Sequence, residues 1–201
     1  IASLEQRARS ISRSKKRKEL GLSVGTAVII TVGELNANKN HIQVLKALSK
    51  LTKTNFHYLI VGNGESEQKL KKAVNELMLQ DKVSFLGFRR DVPELLTASD
   101  VFILTSRREG LPKAVLEAMA IGLPIIATDV RGNRDLVKSG ENGYLVPVDD
   151  VETTSQVIKK LISSPELRNS MQEKNKEKAR AYALDRILPQ MEKIYEYILK
   201  T

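Results

Sequence analysis

Six short apolar segments, rich in β-branched residues, recur along the chain and predict strands. They are TAVIITVG (26–33), FHYLIVGNG (56–64), VSFLGF (83–88), VFILTS (101–106), PIIAT (124–128) and YLVPV (144–148). A parallel sheet that helices cover on both faces requires near-continuous apolar strands, whereas a half-exposed strand alternates apolar with polar residues. The pattern therefore favours a buried parallel sheet.

Longer segments repeat their apolar residues every three to four positions, which predicts amphipathic helices. These helices cover 39–51, 66–79, 111–122, 150–163, 165–182 and 185–199. In the third of them, Pro112 suits the first turn and Gly122 suits the stop. Because strand and helix alternate, we predict an α/β fold: one doubly wound parallel sheet of about six strands, with helices on both faces and a helical C-terminal tail.

Composition narrows the class of protein. With 201 residues and 41% hydrophobic content, the chain can form one large domain or two small ones. The absence of cysteine excludes disulfides and thiolate metal sites, and it fits a cytoplasmic location. No apolar run approaches the roughly 20 residues of a membrane-spanning helix. The basic first residues are not followed by the apolar region of a secretory signal.

The net charge is concentrated at the start of the chain. Residues 1–20 hold seven basic and two acidic side chains, so they carry +5 of the net +9. A solvated leader or linker helix explains this charge. Ile1, Leu4, Ala8 and Ile11 also form a weak apolar seam, which gives some weight to peripheral association with an anionic membrane. No aromatic residues interleave with the cations, which argues against binding of single-stranded nucleic acid.

Glycines follow several of the predicted strands, where ligands of a doubly wound sheet bind. Gly33, Gly62, Gly64 and Gly87 stand at these ends, and helices begin shortly after them. Any one of these glycines can simply end a strand. Several together place helix N-termini at one crevice, and helix N-termini bind anions. The sequence therefore favours a phosphorylated ligand.

Other kinds of site are excluded or weakened. Gly62-Asn63-Gly64 is followed by Glu67 where a dinucleotide-binding motif has its third glycine. The chain has no Walker A motif, no Asp-x-Asp pair to hold a divalent ion, and no Ser-His-Asp or Cys-His arrangement. His41 and His57 are isolated, so we interpret them as surface or packing residues. We expect no metal and no cofactor.

Two glutamates, Glu109 and Glu117, flank a Gly-Leu-Pro turn inside an apolar region. Glutamate is rarely buried without a partner. Lys113 and Glu117 are four residues apart and could form a surface pair worth about 0.3–0.5 kcal/mol. That pair would explain Glu117 alone. It would not explain Glu109 or the turn.

The segment EGLPKAVLEAMAIGLP resembles family 4 of the retaining glycosyltransferases, and the resemblance extends over 26–148. These enzymes have the GT-B architecture, in which two Rossmann-like domains face each other across a cleft. The chain resembles the second domain, which holds the nucleotide-sugar donor. The resemblance implies that Glu109 faces the donor sugar and that Glu117 accepts hydrogen bonds from the ribose. Carboxylates suit such hydroxyl donors, because charge-assisted bonds are worth roughly 1.5–3 kcal/mol each.

The resemblance assigns further residues to the donor. VGELNANKNH resembles the phosphate-binding loop, in which Lys39 matches the family lysine and Glu34 replaces an arginine. Lys39 and Glu109 are thus the expected catalytic residues. The missing cation could come from any of four arginines: Arg107, Arg108, Arg131 and Arg134. The remaining donor-binding residues implied by the resemblance are Gly33, Phe88, Arg89, Gly110, Leu111 and Pro112. The DVRGNRDLV segment resembles members that build capsular polysaccharide or exopolysaccharide.

These observations predict a donor-binding Rossmann-like domain over 25–182, a basic leader over 1–24 and an amphipathic helix over 183–201 that packs back or toward a missing N-terminal domain. The full enzyme would transfer a hexosyl or N-acetylhexosaminyl group from a UDP-sugar to a glycan or lipid-linked glycan, with retention and without metal. It would act in the cytoplasm or at the inner face of the membrane. The isolated domain would be inactive. A sugar-nucleotide epimerase of the same architecture and a non-catalytic binding module remain as alternatives.

Overall fold

A computed structural model of the chain describes residues 12–199. Within them the sheet has six strands: β1 (Ala27–Val32), β2 (Phe56–Val61), β3 (Val83–Gly87), β4 (Val101–Leu104), β5 (Ile125–Thr128) and β6 (Gly143–Val146). The apolar seam predicted for the leader, with Ile1, Leu4, Ala8 and Ile11, lies outside the described residues. All six predicted strands are confirmed, each within three residues of its predicted bounds.

Nine α-helices precede, connect and follow the strands in the described part of the chain. They are α1 (Arg13–Glu19), α2 (His41–Ser49), α3 (Glu67–Glu76), α4 (Val92–Ala98), α5 (Lys113–Ile121), α6 (Arg131–Leu136), α7 (Val151–Ser163), α8 (Pro165–Arg180) and α9 (Leu184–Leu199). The prediction omitted α4 and α6, because helices of seven and six residues are too short to show a repeat. Gly122 ends α5 with a φ of 95°, as predicted, whereas Pro112 caps α5 just before its first turn.

The strands are all parallel and lie in the order β3-β2-β1-β4-β5-β6. This is the doubly wound order in which the winding direction reverses between β1 and β4. Successive side chains of a strand point to opposite sides of the sheet. Because both sets of side chains are apolar, helices cover both faces. Ile29 packs with α2, α3 and α7, whereas Val28 and Ile30 pack with α4, α5 and α6. The predicted α/β class and double winding are therefore confirmed.

Three arginines fasten α1 and α8 to the amino end of the sheet. Arg13 donates to the carbonyls of Thr97 and Ser99 at 2.8 and 2.6 Å, which satisfies the last turn of α4. Arg13 and Arg17 also pair with Asp100 at 2.6 and 3.3 Å. Arg168 of α8 donates to two carbonyls at the end of α7, 2.7 and 3.0 Å away. Part of the basic leader thus has a structural role, since cations stabilise helix C-termini.

His41 is a packing residue, as the sequence suggested. Its side chain is buried, and Nε2 lies 3.4 Å from the carbonyl oxygen of Glu34. Burial lowers the pKa of His41 to about 4, with the Glu34 carbonyl opposing and the Lys39 charge reinforcing the shift. His41 is therefore neutral in the folded protein at pH 7.

The buried His41 should make the protein sensitive to acid. The unfolded chain binds a proton here near pH 6.5, whereas the folded chain does so only near pH 4. Its contribution to stability is therefore present above pH 6.5 and is lost as the pH falls toward 4. We expect this group to reduce the free energy of unfolding by about 2 kcal/mol between pH 7.5 and pH 5. Urea titrations of the wild type and of His41→Leu at both pH values measure it. Equal losses in the two proteins would contradict it.

Candidate functional site

The loops that follow β1, β2 and β3 interlock at the carboxyl end of the sheet. The Gly33 N–H donates to the Val61 carbonyl at 2.9 Å, and the Gly62 N–H donates to the Gly87 carbonyl at 2.8 Å. A Cβ on Gly62 would lie 1.9 Å from the Gly33 oxygen, and φ at Gly62 is 134°. Only glycine fits there. The Gly-x-Gly of the second strand thus serves loop packing and not a dinucleotide-binding turn.

The two predicted catalytic residues meet at this end of the sheet. Lys39 Nζ lies 2.6 Å from Glu109 Oε1, and their side chains are 21% and 11% exposed. Lys39 stands in the loop between β1 and α2, and Glu109 in the loop between β4 and α5. The strand order places these loops side by side at the switch point of the sheet. Sequence reasoning identified both residues but not their contact.

A cavity of about 330 Å³ surrounds this ion pair. Its lining includes six of the predicted donor-site residues, Gly33, Lys39, Glu109, Leu111, Pro112 and Glu117, together with Glu34. Glu117 also forms the alternative pair with Lys113, at 3.5 Å, with side chains 22% and 88% exposed. An exposed pair of this kind contributes little. Glu117 thus lines the cavity and pairs with Lys113 at the same time.

A second cavity, of about 380 Å³, adjoins the first. Its lining includes Phe88 and Arg89, and it shares Val32, Gly33 and Glu34 with the first cavity. Phe88 is exposed. The Arg89 guanidinium is held by Asp91 through bonds of 2.7 and 2.6 Å. These bonds, foremost among the causes, hold the pKa of the Asp91 carboxyl well below its usual range. The two cavities form one cleft across the carboxyl ends of β1, β2 and β4.

Gly110 is the predicted site residue that lines neither cavity. Its carbonyl instead faces Gly132 in α6, where a Cβ would lie 1.8 Å from the Gly110 oxygen and 2.9 Å from the Glu109 oxygen. The Gly132 N–H also donates to the Glu109 carbonyl at 3.3 Å. The absence of a side chain at Gly132 therefore lets α6 lie directly against the loop that carries Glu109. The sequence signalled it only as a glycine between two polar residues.

Four arginines were candidates to supply the positive charge that is missing at Glu34, and the structure reduces these candidates to two. Arg107 is paired with Asp149 at 2.7 Å, and Arg134 with Asp129 at 2.5 Å. Arg108 and Arg131 are exposed, and neither has an ion-pair partner within residues 12–199. Glu34 itself is exposed and accepts a bond of 2.8 Å from Asn36. Arg108 and Arg131 are therefore the two candidates whose charge is available.

Other features of the described residues lie away from this cleft. A cavity of about 1160 Å³ lies at the amino end of the sheet and contains the arginines that fasten α1 and α8. Most of their donors are already bonded to carbonyls and Asp100. Within residues 12–199, no group of three or more His, Asp or Glu side chains could hold a metal ion. None of the described helices is long and apolar enough to span a membrane.

Comparison with known proteins agrees with this geometry. The family described as "Glycosyl transferases group 1" matches residues 12–178, which includes the whole sheet and both cavities. The chain belongs to this glycosyltransferase family. The resemblance to glycosyltransferases is thereby confirmed at the level of the family.

Three relatives illustrate the similarity. The UDP-Gal:α-D-GlcNAc-diphosphoundecaprenol α-1,3-galactosyltransferase of Escherichia coli is 36% identical over 75% of this chain and 40% of its own length. The N-acetyl-α-D-glucosaminyl L-malate synthase of Bacillus anthracis is 32% identical over 92% of this chain and 49% of its own length. The crystal structure of Anabaena Alr3699/HepE in complex with UDP and glucose superimposes with a TM-score of 0.83, at 26% identity over 94% of this chain and 52% of that one. This chain thus spans about half the length of these relatives.

Proposed function

We propose that this chain is the donor-binding half of a retaining glycosyltransferase of family 4, which transfers a hexosyl or N-acetylhexosaminyl group from a UDP-sugar. The observation that carries the proposal is the Lys39–Glu109 ion pair of 2.6 Å inside a cleft at the switch point of the sheet. A lysine and a carboxylate in one part-buried pair can meet the two ends of a donor, the anionic diphosphate and the hydroxyl-rich sugar. An isolated surface pair would offer neither the cavity nor the neighbouring Glu117.

Each residue has a role that its surroundings support. Lys39 stabilises the charge that develops on the departing diphosphate, where a preorganised cation is most effective. Glu109 accepts hydrogen bonds from the donor sugar, and Glu117, about one turn into α5, accepts them from the ribose. Phe88 and the backbone beside Arg89 bound the second cavity of the cleft, of about 380 Å³, where the nucleobase can lie. The Arg89 side chain is already engaged by Asp91, which leaves the backbone to make that contact.

Two relatives support UDP as the nucleotide. Anabaena Alr3699/HepE was solved with UDP and glucose, and the E. coli relative uses UDP-Gal. The E. coli enzyme acts on a diphosphoundecaprenol-linked sugar, which supports a lipid-linked glycan as the acceptor. The DVRGNRDLV segment supports a role in capsule or exopolysaccharide synthesis, because it resembles members of the family that build these polymers. The exposed lysines of α1, Lys15 and Lys18, favour a location at the inner face of the membrane.

The second half of the enzyme would complete the site. The relatives are about twice as long as this chain, and α9 exposes Leu188, Met191 and Tyr195 to 50%, 43% and 60%. An apolar face of this kind suits contact with an N-terminal acceptor domain. The cleft in this half is open, whereas transfer needs donor and acceptor positioned together away from water. We therefore propose that this chain binds the donor but does not transfer sugar alone.

Titration calorimetry of this chain with UDP in EDTA tests the proposal. We expect binding without divalent metal, and no gain in affinity when Mg²⁺ or Mn²⁺ is added, because Lys39 and helix N-termini provide the positive charge. Lys39→Ala should weaken binding by about tenfold or more, since a charge-assisted bond is worth about 1.5–3 kcal/mol. The control is Lys176→Ala, which removes a lysine of α8 far from the cleft. Binding that requires Mn²⁺ or Mg²⁺ would refute the metal-free site.

A further inference from the structure

Two residues with a left-handed backbone meet beside the cleft. Within the described chain, positive φ occurs in three residues other than glycine: Asn40 (50°), Met78 (54°) and Asp149 (64°). Met78 lies on the surface after α3, 81% exposed. Asn40 and Asp149 instead bond to each other, with Asn40 Nδ2 3.1 Å from Asp149 Oδ1. Such backbone conformations persist where surrounding contacts hold them, and they cluster at functional sites.

The Asp149 carboxylate joins the two loops that carry Lys39 and Glu109. On one side it accepts from Asn40, the residue that follows Lys39. On the other side it accepts two bonds of 2.7 Å from Arg107, two residues before Glu109. The carboxylate and the guanidinium thus form a planar, bidentate ion pair. One side chain from the loop after β6 thus sets the spacing between the loops.

Gln43 fixes Asp149 from the protein interior. This buried side chain accepts from the Asp149 N–H at 2.8 Å and from Asn40 Nδ2 at 2.9 Å. Its own Nε2 donates to Thr154 Oγ1 at 2.9 Å and to the Pro147 carbonyl at 3.0 Å. Every polar atom of the Gln43 amide is thereby used. These bonds therefore hold the Asp149 backbone in place, although the Asp149 side chain is half exposed.

Direct contacts complete the connection between the two loops. The Arg107 N–H donates to the Asn38 carbonyl at 2.8 Å, and Asn38 Nδ2 donates to the Arg108 carbonyl at 3.1 Å. Thr105 Oγ1 donates to the Asn40 carbonyl at 3.0 Å. Asp149 lines neither cavity of the cleft, so any effect on the ligand passes through these loops.

We propose that Asp149 is a positioning residue, which holds the Lys39 loop and the Glu109 loop at the separation that the donor diphosphate and sugar require. The proposal rests on the proposed function for its ligand, but the coupling of Asp149 to Lys39 exists in the free protein. An ordinary surface ion pair between Asp149 and Arg107 would stabilise the fold slightly and would leave Lys39 unaffected. The two roles therefore differ in what happens at Lys39.

The variant Asp149→Gly distinguishes the positioning role from an ordinary surface ion pair. Glycine accepts a φ of 64° without strain, so the fold should be kept. In the free chain, acetylation by acetic anhydride with peptide mapping reports how firmly Lys39 Nζ is held by Glu109. We expect the rate at Lys39 to rise at least threefold, while the rate at Lys176 stays the same. We expect the Kd for UDP to rise at least fivefold in the wild-type background and less than twofold in Lys39→Ala.

Two matched variants control for other causes. Met78→Gly replaces another residue that has a left-handed backbone but lies far from the cleft. Asp129→Asn weakens a comparable ion pair, the one with Arg134. Neither variant should change the rate of acetylation at Lys39. Unchanged Lys39 acetylation in Asp149→Gly would overturn the proposal, as would equal losses of UDP affinity with and without Lys39. A wild-type chain that binds no UDP would refute the proposed function, and the acetylation rates would then decide the role of Asp149 alone.

Discussion

Glu109→Gln should lower kcat of the full-length enzyme by about a hundredfold, with a smaller change in the Kd for UDP. The glutamine keeps the size of the side chain but removes the charge that we propose faces the sugar and that holds Lys39 at 2.6 Å. Charge placed where the transition state develops it acts on turnover more than on ground-state binding, and a misplacement of about 1 Å in such a site costs about a hundredfold. Initial rates of sugar transfer and UDP titrations measure the two quantities.

Glu117→Ala should show the opposite pattern. If Glu117 bonds to the ribose, its loss should weaken UDP binding by about ten- to a hundredfold, the equivalent of about 1.5–3 kcal/mol. Glu173→Gln on α8 is the control, since Glu173 pairs with Lys176 at 2.8 Å, outside the cleft. An unchanged UDP affinity in Glu117→Ala would show that Glu117 serves the Lys113 pair. An unchanged kcat in Glu109→Gln would remove Glu109 from the chemistry.

Gly132→Ala should be among the most damaging single-methyl changes in this protein. The added carbon would lie 1.8 Å from the Gly110 oxygen and 2.6 Å from the Gly110 carbon, and backbone atoms cannot move aside as a flexible side chain can. Forcing extra carbon into a packed site typically costs about 1–3 kcal/mol. The strain falls on the loop that carries Glu109, so UDP-sugar affinity should fall together with Tm. Thermal unfolding and calorimetry measure both.

Gly110→Ala provides a matched control for stability. It adds the same methyl group to the facing peptide, but a Cβ there would meet no atom within 4 Å beyond its immediate chain neighbours. Its free energy of unfolding should change by no more than about 0.5 kcal/mol. If both variants unfold at the same temperature as the wild type, the close approach of Gly132 to the Glu109 loop does not constrain that loop.

The strands and long helices could be predicted because their signal is local. Each buried strand must be apolar over its whole length, and each long helix must repeat its apolar residues, so the pattern of one segment suffices. The short helices α4 and α6 lack enough turns to show a repeat. Their positions follow from tertiary contacts, in which Leu95, Leu96 and Leu136 pack against one face of the sheet.

The site could be predicted residue by residue but not as an arrangement. Lys39, Glu109 and Glu117 were identified from their motifs, and the strand order then brings them to one cleft. Asn40 and Asp149 gave no comparable signal, because a left-handed backbone and a bond across 109 positions are properties of the folded chain. Gly132 was hidden for the same reason, since a glycine in a sequence does not show which carbonyl will approach it.

The contact between Lys39 and Glu109 also bears on which small anions the cleft rejects. The lysine already has an internal counter-ion in Glu109, which lowers the attraction of Lys39 for free phosphate or sulfate. Under the proposed function, a donor displaces that counter-ion because it supplies hydroxyl groups to the carboxylate at the same time as phosphate to the amine. Inorganic ions supply only the second. We therefore expect the site to favour a ligand that carries both groups over inorganic phosphate.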